Sequence, residues 1–235
     1  MKAILLAAGE GTRLRPLTYQ IPKPLIDVSG RPIIQYALEQ LKSYVDEYVL
    51  VIGYKAEQIQ KHFGDSFEGR KITYVIQEQQ LGTGHAVNCA REHLIHEKKF
   101  VLIMGDNIYT KHDVYRCMEN GLCVLVTEVK EPQKFGIVIT DSSGNLVNII
   151  EKPKNSELNL ANTALYVLSG EIFQEIDKLK VSERGEYDLP EAVVNLSRKN
   201  PIKCIKAQGM WIPVGYPEEL ENARRIIESH ESDFV

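Results

Sequence analysis

Two cationic side chains, Arg13 and Lys23, share the segment GEGTRLRPLTYQIPKPL with Gly9 and Gly11. Glycines let main-chain N–H groups approach an anion closely, and guanidinium and ammonium groups donate to phosphate oxygens. The chemistry this points to is the holding of a phosphate-rich ligand, with a nucleoside triphosphate as the working assignment. The segment lacks the Gly-Lys-Ser/Thr of a Walker A loop, and its glycines do not have the dinucleotide-binding spacing. Arg15 reads equally well as a surface charge. A carboxylate with related chemistry stands in MGDN, where Asp106 follows an apolar run and could hold Mg²⁺ beside triphosphate oxygens. Alone, Asp106-Asn107 is also an ordinary turn sequence.

These residues need elements to bring them together. Ala3 to Ala8 is a short apolar run stopped by Gly9, which reads as a buried strand. EYVLVIG, KITYVIQ, KFVLIMGDN and GLCVLVTEV read as further strands. Between them, RPIIQYALEQLK, YKAEQIQKHFG, HAVNCAREHL and DVYRCMENG read as helices, with Pro32 suited to a first turn and Gly64 and Gly121 to helix ends. Strand–helix alternation predicts an α/β fold with a mostly parallel, Rossmann-like sheet and helices on both faces. Ligands in such sheets sit beyond the carboxyl ends of the strands. GEGTR, QEQQLGTG and GDN each follow a strand, so they are expected on one edge.

The second half changes character. FGIVITDSSGNLVNIIEKPK reads as a hairpin, NLANTALYVLS and PIKCIKA as strands, and EIFQEIDKL and YDLPEAVVNLSRK as helices. The pattern suits a smaller lobe inserted on the sheet edge within one domain spanning 1–235. The two halves divide at about residue 130, with 1–130 carrying the candidate triphosphate loop and 131–235 the inserted lobe. The closing helix PEELENARRIIESH carries a narrow stripe, Leu220, Ala223 and Ile227, that suits either a homo-oligomer contact or packing on its own domain.

With 235 residues, 43% apolar and 26% charged, the composition is that of an ordinary globular protein. A net charge of −4 disfavours bulk attraction to nucleic acid or anionic membranes, so any phosphate site is a local basic pocket. No segment approaches the roughly 18 apolar residues of a membrane span. The four cysteines form no Cys-x-x-Cys pair and read as reduced thiols, and the expected location is cytoplasmic.

The stretch GxGTRLxPLTxxxPKPL closely resembles the signature of the sugar-1-phosphate nucleotidylyltransferases, and later motifs of that family occur in order along nearly the whole chain. The resemblance implies an enzyme that joins a nucleoside triphosphate to a sugar 1-phosphate and releases pyrophosphate, with Mg²⁺ as cofactor. It implies that Leu6, Ala7, Ala8 and Gly9 lie along base and ribose. Gly11, Thr12 and Arg13 would hold the β- and γ-phosphates, Lys23 would face the α-phosphate, and Asp106 would bind the metal. QEQQLGTGHAV resembles the family's base-reading loop. There the Gln77 amide matches a pyrimidine edge, Gly82 admits the base, and Thr83 caps the next helix. Gly136, Glu151, Lys152 and Asn162 match the sugar-phosphate contacts. The loop looks most like that of uridylyl-transferring members, so UTP ranks before dTTP. The longer members continue into a left-handed β-helix acyltransferase domain, which is not expected here.

Two departures stand out. The family's Asn-x-Gly is Asn162-Thr163-Ala164, and its Trp-x-Asp-x-Gly is WIPVG, which puts Pro213 where a second metal-binding carboxylate is usual. Asp188 is the candidate replacement. Pro213 also raises the alternative of a catalytically weak regulatory subunit that binds nucleotide sugars. A further alternative is a cytidylyl- or uridylyltransferase for another phosphorylated alcohol.

Overall fold

The computed structural model describes residues 1–235. At its centre, β1 (Lys2–Ala7), β4 (Glu47–Ile52), β6 (Arg70–Ile76) and β7 (Phe100–Met104) lie in the order β6-β4-β1-β7, all parallel. Leu5 stands opposite Leu50 on one side and Ile103 on the other. Such strands are covered on both faces, which is why they read as continuous apolar runs. Ala3, Leu5 and Ala7 face a core shared with α1 (Ile33–Leu41), α2 (Ala56–Phe63) and α5 (Lys111–Met118). Ile4 and Leu6 face the opposite core, with α3 (Thr83–Cys89), α4 (Arg91–Leu94), α6 (Ile172–Ile176) and α7 (Leu189–Ser197).

Beyond β7 the sheet continues through β12 (Leu160–Leu168), β9 (Cys123–Glu128) and β13 (Lys203–Lys206). β12 is antiparallel to both β7 and β9, while β13 is parallel to β9. β9 therefore points the same way as the central strands but does not sit next to β7. The first part of β12 also carries the antiparallel hairpin β10 (Gly136–Thr140) and β11 (Leu146–Glu151), through a pairing of Ile137 with Ala161. The expected lobe is thus a hairpin grafted onto a strand of the main sheet. The remaining strands are short. β5 (Ser66–Phe67) closes the far edge, β2 (Asp27–Val28) pairs with β3 (Arg31–Pro32), and β8 (Asn107–Tyr109) pairs with β14 (Trp211–Pro213).

Two local expectations need correction, and one open alternative is decided. HAVNCAREHL is not one helix. It breaks at Ala90 (φ −90, ψ 9), and the turn aims Leu94 into the core. α5 stops at Met118, before Gly121, because the Asn120 side chain turns back to donate to the Arg116 carbonyl at 2.6 Å. The stripe of α8 (Pro217–Ser229) is spent within the chain: Leu220, Ala223 and Ile227 are buried against Leu14, Val28, Ile212 and Phe234, the last on α9 (Glu231–Phe234). No helix is long and apolar enough to cross a membrane.

Candidate active site

The carboxyl ends of β1, β6 and β7 open into a cavity of about 500 Å³. Every residue expected at the nucleotide lines it: Leu6, Ala7, Ala8, Gly9, Gly11, Thr12, Arg13, Lys23, Gln77, Gly82, Thr83 and Asp106. Two glycines show why the loop after β1 has its sequence. A Cβ on Gly9 would meet nothing within 4 Å, so this residue leaves room in the cavity. Gly11 has φ +63, and its Cβ would lie 3.0 Å from the side chains of Lys23 and Thr18. Thr18 Oγ1 donates to the Gly11 carbonyl at 3.0 Å and ties the loop to the segment behind it.

Lys23 begins a short 3₁₀ turn, Lys23–Leu25, flanked by Pro22 and continued by Pro24. Its stem is buried, and its Nζ donates to Asp106 Oδ2 at 2.6 Å. The Asp106 carboxylate is held by this ammonium yet one-third exposed, so it remains open to the cavity. On the other side, β14 lies along β8, with Pro213 opposite Asn107, and the Val214 N–H donates to the Asp106 carbonyl at 3.0 Å. Pro213 offers no side-chain oxygen there. No group of three or more His, Cys, Asp or Glu side chains forms a ready metal cage. A single carboxylate facing a phosphate-sized cavity does suit Mg²⁺, an ion that keeps several waters and takes further ligands from substrate phosphates. The Asp188 replacement does not hold. Asp188 sits before α7, bound by Arg184 at 2.6 Å, and does not line the cavity.

The loop after β6, expected at the base, is fixed from two directions. Gln77 Nε2 donates to the Gly82 carbonyl at 3.2 Å and lies 3.0 Å from His85 Nδ1. A carbonyl only accepts, so the NH₂ must face Gly82, His85 Nδ1 accepts, and no group of the chain donates to Gln77 Oε1. Gln80 donates to the Ala8 carbonyl at 3.1 Å and lines the cavity. From the second half, the Tyr187 N–H donates to the Leu81 carbonyl and the Gly84 N–H to the Tyr187 carbonyl, each at 2.8 Å. Thr83 does not cap α3 as expected. The cap position is Gly82, and Thr83 Oγ1 instead accepts the Leu189 N–H at 3.2 Å. Glu186, next to Tyr187, also lines the cavity.

The four residues expected at the sugar phosphate gather separately. Gly136 is paired with Glu151 across the hairpin, and a Cβ on Gly136 would lie 3.0 Å from Glu151 Oε2 and 3.9 Å from Asn162 Cβ. Lys152 follows with φ +44, half-exposed and 3.7 Å from Glu151. None of these four lines the 500 Å³ cavity itself. Arg184 links this set to α7 by bridging Glu151 at 3.4 Å and Asp188. Asn162 is already engaged: Nδ2 donates to the Tyr166 hydroxyl at 2.5 Å, and Oδ1 accepts the Ala164 N–H at 2.9 Å. Ala164 takes φ +60, the left-handed conformation that the family's glycine would adopt freely. Burial raises the Tyr166 phenol and the Cys89 thiol above their ordinary values, so both stay protonated near neutral pH.

Gln80, Glu186 and Arg184 are absent from the sequence reading. Gln80 stands in the motif already singled out, and a glutamine three residues from Gln77 was a usable signal. Glu186 and Arg184 carried none, because their proximity depends on Tyr187 meeting a loop about a hundred positions earlier.

A cavity lined by cations and glycines at the carboxyl edge of a parallel sheet defines a nucleotide-handling α/β protein. The family model described as nucleotidyl transferase matches residues 2–230, and the chain belongs to that family. Its relatives narrow the comparison. The chain is 36% identical to the UTP–glucose-1-phosphate uridylyltransferase AglF of Haloferax volcanii over 234 residues, 96% of each chain. It is 38% identical to the bifunctional protein GlmU of Methanocaldococcus jannaschii over 227 residues, 97% of this chain and 54% of that one. The chain thus spans about half the length of the GlmU proteins it matches. Among solved structures, a Bacillus anthracis protein assigned as a glucose-1-phosphate thymidylyltransferase, in complex with sucrose, superposes with a TM-score of 0.86 at 27% identity. That match covers 96% of this chain and 94% of the other. A UDP-glucose pyrophosphorylase complexed with UDP-glucose, at 24% identity and a TM-score of 0.85, covers 97% and 98% and shares the fold.

Proposed function

We propose that the chain transfers a nucleotidyl group from a nucleoside triphosphate to a sugar 1-phosphate, with pyrophosphate as the other product. UTP is the preferred donor and dTTP the next. The observation that carries this reading is the convergence of Arg13, Lys23 and Asp106 with Gln77 and Gly82 in one cavity. A sugar-phosphate oxygen attacks the α-phosphorus in line, and the P–O bond to pyrophosphate breaks. Such a transfer depends on positioning and charge neutralisation. A phosphate monoester is already ionised near neutral pH, so no general base is required. Arg13 would hold the outgoing phosphates, Lys23 the α-phosphate, and Lys152 the sugar phosphate. Asp106 would hold Mg²⁺, which when bound neutralises phosphate charge. The name of the AglF relative supports UTP and a hexose 1-phosphate.

A second reading is favoured by Pro213 and the engaged Asn162: a weakly catalytic subunit that binds nucleotide sugars. Pyrophosphate release assayed with UTP, dTTP and CTP against a panel of sugar 1-phosphates separates the two. Turnover with at least one pair supports the enzyme. Tight nucleotide-sugar binding with no turnover by any pair supports the subunit instead. Turnover only with CTP would overturn the choice of base.

A further inference from the structure

Arg13 is unusual among the arginines of this chain. Every other one bonds a carboxylate, a side-chain amide oxygen or a main-chain carbonyl. Arg13 has no hydrogen bond and no ion pair. Instead its guanidinium carbon lies 4.6 Å from the centroid of the Tyr216 ring. The guanidinium also crosses the turn before α8, where a Cβ on Gly215 would come within 3.6 Å of Arg13 Nη2. That turn is itself anchored. Glu219 Oε2 accepts the Gly215 N–H at 2.6 Å and the Tyr216 N–H at 3.0 Å, which fixes the main chain from which the ring projects.

The physical distinction lies in what each kind of seat consumes. A carboxylate holding an arginine occupies two of its five N–H donors and cancels its charge. An aromatic face attracts the cation through its quadrupole and uses no donor. Arg13 is thus held in place with its full donor set and full charge available to the cavity it lines.

We infer that Tyr216 is a positioning residue: its ring seats Arg13 so that the whole guanidinium fork faces the β- and γ-phosphates of the bound triphosphate. The inference rests on the nucleotidyltransferase reading and deepens it by adding a residue from the far end of the chain. It also gives the turn after Pro213 a use in phosphate binding in a chain without the usual carboxylate there.

The test compares UTP and UMP binding, in buffer containing MgCl₂, for the unaltered chain, Tyr216→Leu and Tyr216→Phe. Leucine fills similar space without a π face, whereas phenylalanine keeps the face. Tyr216→Leu is expected to weaken UTP binding about tenfold, with UMP unchanged and Tyr216→Phe within about twofold of the unaltered chain. In turnover the same loss should fall on both KM and kcat for UTP, because the phosphates held by Arg13 also leave. The inference is overturned if Tyr216→Leu binds UTP normally, if phenylalanine fails to rescue, or if UMP weakens as much as UTP. Should Tyr216→Leu melt much earlier than the unaltered chain, Tyr216→Met takes its place with the same expectation. If the unaltered chain binds no triphosphate at all, the nucleotidyltransferase reading falls and takes this inference with it. Normal triphosphate binding that is indifferent to residue 216 removes the inference alone.

Discussion

Gly82→Ala tests how the two halves of the chain hold the loop after β6. Gly82 has φ +97 and ψ 178, a region that is essentially glycine-only, and other residues pay about 1–3 kcal/mol to enter it. A Cβ there would lie 2.8 Å from the Tyr187 carbonyl oxygen, 2.9 Å from the Tyr187 nitrogen and 2.9 Å from Glu186 Cβ. These are main-chain or main-chain-proximal atoms that cannot swing aside. Moving them breaks the two hydrogen bonds between Tyr187 and the loop, each contributing about 0.5–1.5 kcal/mol. The total, roughly 2–6 kcal/mol, is a large fraction of a typical domain's stability, so segment 186–187 should detach from the loop. The expected result is a melting temperature roughly 4–8 °C lower, for a realised loss of about 2 kcal/mol, and UTP binding weakened by at least about tenfold. Gly9→Ala is the contrast. Its Cβ meets nothing, so stability should stay within about 0.5 kcal/mol while UTP binding falls, because the added methyl projects into open space of the cavity that Gly9 lines. Thermal melts and calorimetric titration of UTP read both quantities. A Gly82→Ala chain that melts within about 1 °C of the unaltered one and binds UTP equally well would refute the proposed clamp.

Asp106→Asn should cut pyrophosphate release by about 10²-fold or more, yet leave metal-free nucleotide binding nearly intact. Retained turnover would remove Asp106 from the metal role. Pro213→Asp should lower the half-saturating Mg²⁺ concentration about tenfold, and an unchanged Mg²⁺ titration would place the ion elsewhere. Glu175 is buried and hydrogen-bonded by Lys178 and then Lys199, which together hold its carboxyl below the ordinary glutamate value of 4.5. The ionised form therefore stabilises the fold above that value, and the stabilisation is lost as pH falls through the depressed one. Denaturant unfolding should show Glu175→Gln about 1 kcal/mol less stable at pH 7, with the gap closing as pH falls below the ordinary glutamate value; a gap independent of pH would contradict the assignment. Ala164→Gly relieves a left-handed residue, and the same unfolding assay should show it unchanged to about 1 kcal/mol more stable; a loss would show that the alanine methyl contributes more than its strain costs.

The central strands and the nucleotide edge were legible because their signals are local. An apolar run ended by glycine declares a buried strand whatever it packs against, as Ala3–Ala8 and Phe100–Met104 do. The loops after such strands share an edge by topology alone, so Arg13, Lys23, Gln77 and Asp106 could be placed together before any distance was known. What stayed hidden depends on contacts between distant segments. β8 and β14 are three residues each and gain their identity only by pairing with one another. Nothing in the sequence marks Tyr216, which gains its interest only from Arg13 lying against its ring. The Asn162 amide reads as free until the bulge turns it toward Tyr166.

The place of β12 has a consequence for how the chain reaches its folded state. β9 belongs by position to the first half, but both of its neighbours, β12 and β13, come from the second. β7 likewise keeps one bare edge until Tyr166, Val167 and Leu168 arrive. During synthesis the first 130 residues therefore wait with two apolar strands whose hydrogen-bonding edges are open, the condition under which nascent chains aggregate or pair wrongly. Severed between its halves, the chain would yield not two lobes but one frayed sheet and the segment needed to close it.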